Sequence, residues 1–196
     1  MFTFDELCAK SNAMGIKCGL GGWVTVRDKD YLAEFLTSLP NCNEQLEVVE
    51  LGVFQGGSSL IYLIALPNCK FHAIDNWLGG PASPGYPTIK EGFEDVTKVH
   101  KDRIIMHSGD SIQIGETWNT LLDICMIDGD HDGKYPLNDI SNFSKWIKKD
   151  GYILVDDCDM VNVRSAINVT LANNPNFKFI KDTMPEGGKI VVYQKL

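Results

Sequence analysis

Apolar and polar residues follow one another along the chain in a pattern that predicts short buried strands separated by amphipathic helices. The apolar runs are too short for helices and are rich in Val, Ile and Leu, which is typical of parallel strands. The predicted strands are residues 46–50, 70–74, 103–107, 122–127, 152–155, 177–181 and 189–194. Helical spacing of apolar residues predicts helices over 28–39, 60–66, 88–101, 136–149 and 161–172. Asp28 is the predicted N-cap of the first helix.

The order of these elements predicts the fold class. Five strands alternate with helices, and two further strands close the chain across a short glycine-containing turn. Such alternation makes the first five strands parallel, and the short turn makes the last two a hairpin. We therefore predict an α/β protein with a doubly wound, seven-stranded, mostly parallel sheet whose last strand is antiparallel. The chain of 196 residues fits one domain, 1–196, in which residues 1–27 form an N-terminal arm or lid.

A glycine-rich loop follows the first predicted strand. Gly52 and Gly56 let the backbone turn sharply and leave bare main chain open to a ligand. Ser58 and Ser59 are placed to cap the next helix, whose free N–H groups attract anions. The loop is therefore predicted to cradle a cofactor, although taken alone it fits an ordinary turn between a strand and a helix equally well.

Three residues indicate the kind of cofactor. The dinucleotide-binding pattern requires a small middle residue, and Phe54 stands there, which argues against NAD or FAD. Glu50, at the end of the strand, suits a ligand that carries an amino group. Asp75 ends the second strand about 20 residues beyond the loop, where an acid binds ribose hydroxyls in nucleoside-binding folds. The alternative is that Asp75 only caps a turn.

The loop over residues 76–86 is rich in Gly and Pro and is long for a plain connection, which is typical of functional or mobile loops. Its tryptophan is expected either to stack on the cofactor or acceptor or to pack within the protein. The turn after the third strand carries polar groups expected to contact an adenine edge. The residues of these two segments predicted to bind the cofactor are Asn76, Trp77, Gly109, Asp110 and Ser111.

Three carboxylates end the fourth and fifth strands, namely Asp128, Asp156 and Asp157. Because the carboxyl ends of parallel strands meet at one edge of a sheet, these acids are expected to converge, without a basic partner. Raised pKa values or a hard divalent cation such as Mg2+ would relieve their repulsion. The alternative is that Asp156 caps the next helix while Asp157 is solvated.

The composition of the chain narrows the kinds of partner that it is expected to bind. The net charge is -8 and the 18 Lys and Arg residues form no dense run, so a small molecule is a better partner than nucleic acid. The six cysteines contain no C-x-x-C pair, which indicates reduced thiols. No apolar stretch approaches the roughly 20 residues of a membrane span. We therefore expect a cytoplasmic protein without membrane or nucleic-acid partners, and homo-oligomer formation stays open.

Five motifs together resemble one family. They read E-L-G-V-F-Q-G-G-S-S at 50–59, A-I-D-N-W at 73–77, S-G-D-S at 108–111, I-D-G-D-H at 127–131 and G-Y-I-L-V-D-D at 151–157. With these five motifs, the chain resembles class I S-adenosylmethionine-dependent methyltransferases. Within that class it is similar to the group of macrocin and mycinamicin sugar O-methyltransferases and cephalosporin hydroxylase-like proteins.

The resemblance implies a Rossmann-like methyltransferase fold, S-adenosylmethionine as cofactor, and Mg2+ or Mn2+ bound by Asp128, Asp156 and Asp157. It also implies that His131 is the general base. Asp128 is expected to take part in both catalysis and cofactor binding. The chain departs from the group because it lacks a large N-terminal extension. It also has Asp-Asp where many relatives have His-Asp or Glu-Asp.

The resulting hypothesis is methyl transfer from S-adenosylmethionine to a hydroxyl of a sugar or another small polyhydroxylated molecule. A function of a different class stays open, namely a non-catalytic protein of the same fold that binds a nucleoside or S-adenosylmethionine. An NAD-dependent oxidoreductase is disfavoured by Phe54.

Overall fold

The computed structural model describes residues 4–13 and 25–196. Most of the predicted arm or lid, 1–27, lies outside the described residues. The strands are β1 (Glu47–Leu51), β2 (Lys70–Asp75), β3 (Ile104–Ser108), β4 (Leu122–Ile127), β5 (Ile147–Val155), β6 (Phe177–Asp182) and β7 (Val191–Lys195). They form one seven-stranded sheet in the order β3-β2-β1-β4-β5-β7-β6.

Helices pack on the sheet. They are α1 (Phe4–Ala13), α2 (Val26–Ser38), α3 (Gly57–Ala65), α4 (Ile89–Thr97), α5 (Ser111–Thr117), α6 (Tyr135–Phe143) and α7 (Val161–Ile167). Short 3-10 turns cover Lys98–Arg103, Ser144–Trp146 and Met184–Glu186, and a π turn covers Asn168–Ala172. None of the helices in the described ranges is both long enough and apolar enough to cross a membrane.

The pairing of the strands confirms the predicted fold class. Strands β1 to β5 pair in parallel. Strand β7 runs antiparallel to both β5 and β6, so the last two strands form the predicted hairpin. All the carboxyl ends of the parallel strands therefore lie at one edge of the sheet, where ligands bind in folds of this kind.

The sheet is buried on both faces, which explains the continuous apolar runs of its central strands. Successive residues of a strand point to opposite faces. In β1, Val48 joins a core cluster with Leu32 of α2 and Leu63 of α3. The adjacent Val49 joins a second cluster on the other face, which includes Phe143 of α6. This double packing fixes the strand ends that carry the candidate site.

Helix α6 is shorter than predicted, because residues after it enter β5 instead of continuing the helix. Ile147 is buried and pairs with Leu122 of β4. The Nζ atom of Lys148 in β5 lies 2.8 Å from Oδ2 of Asp123 in β4. The last residues of the predicted helix over 136–149 thus belong to a strand, where the cross-strand contacts of Ile147 and Lys148, which local spacing does not reveal, hold them.

Helix α2 begins earlier than predicted, and Thr25 rather than Asp28 is its N-cap residue. The Thr25 hydroxyl accepts a hydrogen bond from the Asp28 main-chain N at 3.1 Å. The Asp28 carboxylate is fully buried and accepts bonds from Thr183 Oγ1 at 2.7 Å and from the main-chain N atoms of Lys189 and Ile190. Asp28 therefore ties the start of α2 to the turn between β6 and β7.

Gly188→Ala should destabilise the protein through this buried carboxylate. An added Cβ would overlap the side chains of Thr183 and Asp28. Relieving the overlap would break hydrogen bonds to a buried charge, at a cost of roughly 2–4 kcal/mol in the free energy of unfolding. Urea unfolding measures it, with Gly79→Ala as control because nothing lies within 4 Å of the added methyl there. Equal stability of the two variants would contradict the expected role of Asp28.

Candidate active site

A cleft of about 610 Å3 opens at the carboxyl ends of β1, β2, β4 and β5. Most of the predicted site residues line it. They are Gly52, Phe54, Ser58, Asp75, Asn76, Gly109, Asp110, Ser111, Asp128, His131, Asp156 and Asp157. The predicted residues that do not line it are Glu50, Gly56, Ser59 and Trp77.

The glycine loop forms one wall of the cleft. Gly52 has φ 80°, and a Cβ there would overlap the main-chain carbonyl of Asp128, so glycine is what lets the ends of β1 and β4 meet. Gly56, with φ 82°, is the N-cap residue of α3. The predicted capping by Ser58 and Ser59 is therefore wrong, because both serines already lie inside the helix.

Glu50 lies behind the loop rather than in the cleft. Its side chain is fully buried, and Oε2 accepts a hydrogen bond from the Ser59 hydroxyl. Within the described part of the chain, Oε1 has no hydrogen-bond partner. Burial raises the pKa of Glu50 to about 7, although hydrogen bonds from the serines oppose the shift. Glu50 does not line the cleft, and its contact with a cofactor amino group stays a prediction.

Asp75 connects the glycine loop to the loop after β2. Its Oδ2 accepts a hydrogen bond from the Phe54 main-chain N at 2.9 Å, and its Oδ1 accepts one from the Trp77 main-chain N at 2.6 Å. Both donors are non-glycine residues with positive φ, 47° and 61°, a strained conformation that these bonds support. A carboxylate accepts about four hydrogen bonds, so Asp75 retains capacity for ribose hydroxyls in the cleft.

Trp77 fulfils the packing alternative. Its ring centroid lies 5.4 Å from that of Phe93, and its Nε1 donates a hydrogen bond to Ser108 Oγ at 2.8 Å. Asn76 does border the cleft, and its Oδ1 accepts a bond from the Leu78 main-chain N at 2.8 Å. The indole therefore anchors the loop to the core, and Trp77 is not among the residues that line the cleft.

Asp110 has two structural partners at the cleft wall. Its Oδ2 accepts a hydrogen bond from the Tyr135 hydroxyl at 2.7 Å, and its Oδ1 caps α5 by accepting from the Gln113 main-chain N at 3.1 Å. Both bonds, chiefly the one from Tyr135, lower the pKa of Asp110. An anionic, fixed carboxylate at this position is suited to accept a hydrogen bond from a ligand amino group.

Asp139 of α6 is a neighbour of the site that the sequence analysis did not identify. Its Oδ2 accepts a hydrogen bond from the Ser111 hydroxyl at 3.0 Å, and among the described residues Oδ1 has no partner. Burial raises the pKa of Asp139 to about 7. Its place beside Ile140 on the inward face of the predicted helix was the one available signal, and an acid there is uncommon.

The acids after β4 and β5 converge as predicted, but in a different grouping. One carboxylate oxygen each from Asp128 and Asp157 and one ring nitrogen of His131 lie within 4.8 Å of one another. His131 Nε2 is 2.7 Å from Asp157 Oδ2. Asp156 lines the same cleft, and its Oδ1 accepts a hydrogen bond from the Asp157 main-chain N at 2.8 Å; its predicted role as a metal ligand stays a prediction.

Burial, together with the charges of neighbouring acids, raises the pKa values of Asp128 and Asp156. Burial, with the neighbouring carboxylates of Asp156 and Glu50, raises the pKa of Asp128 well above its usual value. Burial is also the main cause that raises the pKa of Asp156 to about 7. Raised pKa values of this kind are one of the two forms of relief expected from the sequence.

Lys189 supplies the basic partner that the sequence analysis did not expect. Its Nζ lies 2.9 Å from Asp157 Oδ1 and 3.8 Å from Asp159 Oδ2, and the residue lines the cleft. These ion pairs, chiefly the one with Asp157, raise the pKa of Lys189. Because Lys189 follows the glycine turn before β7, far along the chain from the acids, no local motif marked it.

Comparison with known families defines the class of protein. The family model described as a methyltransferase domain matches residues 49–158, more than half of the chain, and the chain belongs to this family. It is an S-adenosylmethionine-dependent methyltransferase of class I. The group of sugar O-methyltransferases within that class remains a prediction. No curated protein sequence is significantly similar to the chain.

Solved structures share the fold at low sequence identity. A cofactor-bound protein from MTB, Rv0187, has a TM-score of 0.66 and 15% identity, over 96% of this chain and 87% of its own. A protein described as a caffeoyl-CoA O-methyltransferase from Staphylococcus aureus has a TM-score of 0.64 and 10% identity, over 100% and 93%. A protein from Escherichia coli described as the methyltransferase yhhF has a TM-score of 0.64 and 12% identity, over 92% and 90%. At these identities the likeness concerns the fold.

Glu50→Gln should stabilise the protein at pH 8 much more than at pH 5. The folded pKa of Glu50, about 7, lies above the ordinary value of 4.5, so the folded state loses stability as the pH rises between these values. Gln keeps an oxygen for the Ser59 hydroxyl and carries no charge, so the gain at pH 8 should approach roughly 3 kcal/mol. Urea unfolding at both pH values measures this, with the exposed Glu116→Gln as control. An equal gain at both pH values would contradict ionisation of a buried carboxyl.

Proposed function

We propose that the protein transfers the methyl group of S-adenosylmethionine to a hydroxyl of a sugar or another small polyhydroxylated molecule. The observation that carries this proposal is the group of Asp128, His131 and Asp157 in the cleft that the glycine loop also lines. An imidazole paired with a carboxylate, next to a cofactor wall, suits proton removal from a hydroxyl held beside a methyl donor. The carboxylates around it would accept hydrogen bonds from further hydroxyls of such an acceptor.

The residues present fit S-adenosylmethionine. Gly52, Phe54 and Ser58 of the glycine loop line the cleft, where their main chain would border the methionine part. Asp75 would accept hydrogen bonds from the ribose hydroxyls, and Asp110 with Ser111 would border the adenine. When bound, the cofactor supplies an electrophilic methyl group on a cationic sulfonium, whose charge suits an acid-rich cleft. Glu50 would act from behind the loop by holding Ser59 and the first turn of α3.

His131 is the proposed general base. Asp157 Oδ2 holds Nε2 of the ring at 2.7 Å, so Nδ1 is the nitrogen that remains to take the hydroxyl proton. A carboxylate on the opposite side of the ring fixes the orientation and stabilises the imidazolium that forms. Asp157 would thus orient His131 without touching the acceptor.

A divalent cation, Mg2+ or Mn2+, is the second part of the proposal. The carboxylates of Asp128 and Asp157 fit it in kind and spacing, because one oxygen of each lies within 4.8 Å of the other. Asp128 and Asp157 would hold the cation together with Asp156, the third acid named by the sequence analysis, while His131 would remain the base beside it. Bound there, it would lower the pKa of an acceptor hydroxyl.

We also propose that the acceptor is a small molecule and that the protein works in the cytoplasm. The net charge of -8 and the acids of the cleft would repel the phosphates of a nucleic acid. The described cysteines are free thiols, which suits a reducing compartment.

Asp75→Ala should weaken binding of S-adenosylhomocysteine, the product of the cofactor. Each lost hydrogen bond to a charged acceptor is worth about 1.5–3 kcal/mol, or roughly a 10- to 150-fold loss of affinity. Because Asp75 also holds Phe54 and Trp77, amide exchange in both loops should rise. Isothermal titration measures the affinity, with the exposed Asp95→Ala as control. Unchanged affinity would remove the ribose contact from the proposal.

A chelator should reduce turnover with a sugar or diol acceptor by about 100-fold or more, and added Mg2+ or Mn2+ should restore it. Asp128→Asn should lose the response to metal, because it removes one of the grouped carboxylates. Formation of S-adenosylhomocysteine is the measurement, and the exposed Asp132→Asn is the control. Turnover that survives the chelator would refute the metal site and leave His131 as the group that activates the acceptor.

A further inference from the structure

Hydrogen bonds from its main-chain N–H group hold Lys189 at the cleft. The buried carboxylate of Asp28 accepts hydrogen bonds from the Lys189 main-chain N at 3.0 and 2.9 Å and from the Ile190 main-chain N at 3.3 Å. The preceding Gly188 packs against the same carboxylate too closely for a side chain. The lysine therefore enters the cleft from a fixed point, and its ammonium group reaches the acids without competing conformations of the turn.

Asp157 lies between two partners as a result. Lys189 Nζ is 2.9 Å from Oδ1, and His131 Nε2 is 2.7 Å from Oδ2. Asp157 also has φ 49°, a conformation rare for a side chain of this type, which its main-chain N–H bond to Asp156 helps to hold. Both oxygens of the carboxylate that a metal ion would use are thus engaged before any metal arrives.

We propose that Lys189 competes with the divalent cation for Asp157 and thereby sets the metal affinity of the site. The inference rests on the metal site of the proposed function. An ammonium group a few ångströms from a bound divalent cation repels it, and it also neutralises one of the carboxylates that attract the cation. The acidic cluster therefore binds metal more weakly than its carboxylates alone would dictate, and the ion stays exchangeable.

Asp159 gives the ammonium group a second carboxylate. Its Oδ2 lies 3.8 Å from Lys189 Nζ, and Asp159 is not one of the grouped donors. A lysine side chain has four flexible methylene groups and a compact charge, so a small rotation exchanges one carboxylate for the other. Metal binding then shifts Lys189 from Asp157 towards Asp159 and does not leave the ammonium group unpaired.

The test is the affinity for Mn2+ alone, measured by isothermal titration on the metal-free protein without acceptor. Lys189→Met keeps the length of the side chain and removes the charge, and it should bind Mn2+ at least about tenfold more tightly than the wild type. Lys189→Arg keeps the charge and should stay within about threefold of the wild type. Circular dichroism and binding of S-adenosylhomocysteine establish that each variant is folded.

Lys148→Met is the matched control. Lys148 pairs with Asp123 at 2.8 Å, and the side chains of that pair are 38% and 18% exposed, the same fractions as for Lys189 and Asp157. It lies at the amino end of the sheet, so its removal should leave the Mn2+ affinity unchanged. This control separates a local effect at the cluster from a general effect of net charge.

The outcomes distinguish this inference from the metal site itself. Mn2+ affinity in Lys189→Met that equals the wild type, or equals that of Lys148→Met, overturns the competition. Binding by Lys189→Met when the wild type binds no Mn2+ supports the competition and refutes a metal-dependent wild-type reaction. Absence of binding in both proteins overturns the inference, and methyl transfer in the presence of a chelator then decides the remainder of the proposed function.

Discussion

The structure depends on how it accommodates negative charge at one edge of the sheet. Parallel strands end side by side, so acids that follow them in sequence meet in a small, partly buried volume. Asp75 is satisfied by main-chain N–H groups, and Asp110 by a tyrosine hydroxyl and a helix start. Glu50 and Asp128 have raised pKa values, while Asp157 lies between a lysine and a histidine. Each acid thus has a different environment and can take a different role.

Backbone strain is concentrated in the same place. Three of the four non-glycine residues with positive φ in the described ranges, namely Phe54, Trp77 and Asp157, lie two or three residues beyond a strand end at this edge. The carboxylates of Asp75 and Asp156 accept hydrogen bonds from the main-chain N atoms of these residues. Acids that sequence reasoning assigned to ligands therefore also maintain the turns that shape the cleft. Substitutions there combine a change in ligand contact with a change in loop geometry.

The strands of the sheet could be predicted well from the sequence, because the patterns that define a strand are local. Apolar runs flanked by Gly and Pro determine strands, and the alternation with helices determines parallel pairing. The predicted end of α6 was wrong, because Ile147 belongs to β5 and is held there by its pairing with Leu122 of β4. Similarly, Ser59 was expected at a helix cap, but the left-handed Gly56 takes that place and Ser59 turns to Glu50.

Charge balance within the site is a tertiary property, and it is the part that local patterns could not predict. The acids after β4 and β5 were visible as motifs, whereas Lys189 reaches them from the far end of the chain. Its position depends in turn on Asp28, a residue expected only to cap a helix. A cluster of acids in a sequence therefore gives the charge to be balanced but leaves open whether a proton, a lysine or a metal ion balances it. In this protein Lys189 pairs with Asp157, and the pKa values of Asp128 and Asp156 are raised, so the proposed metal ion would compete with the lysine and with protons.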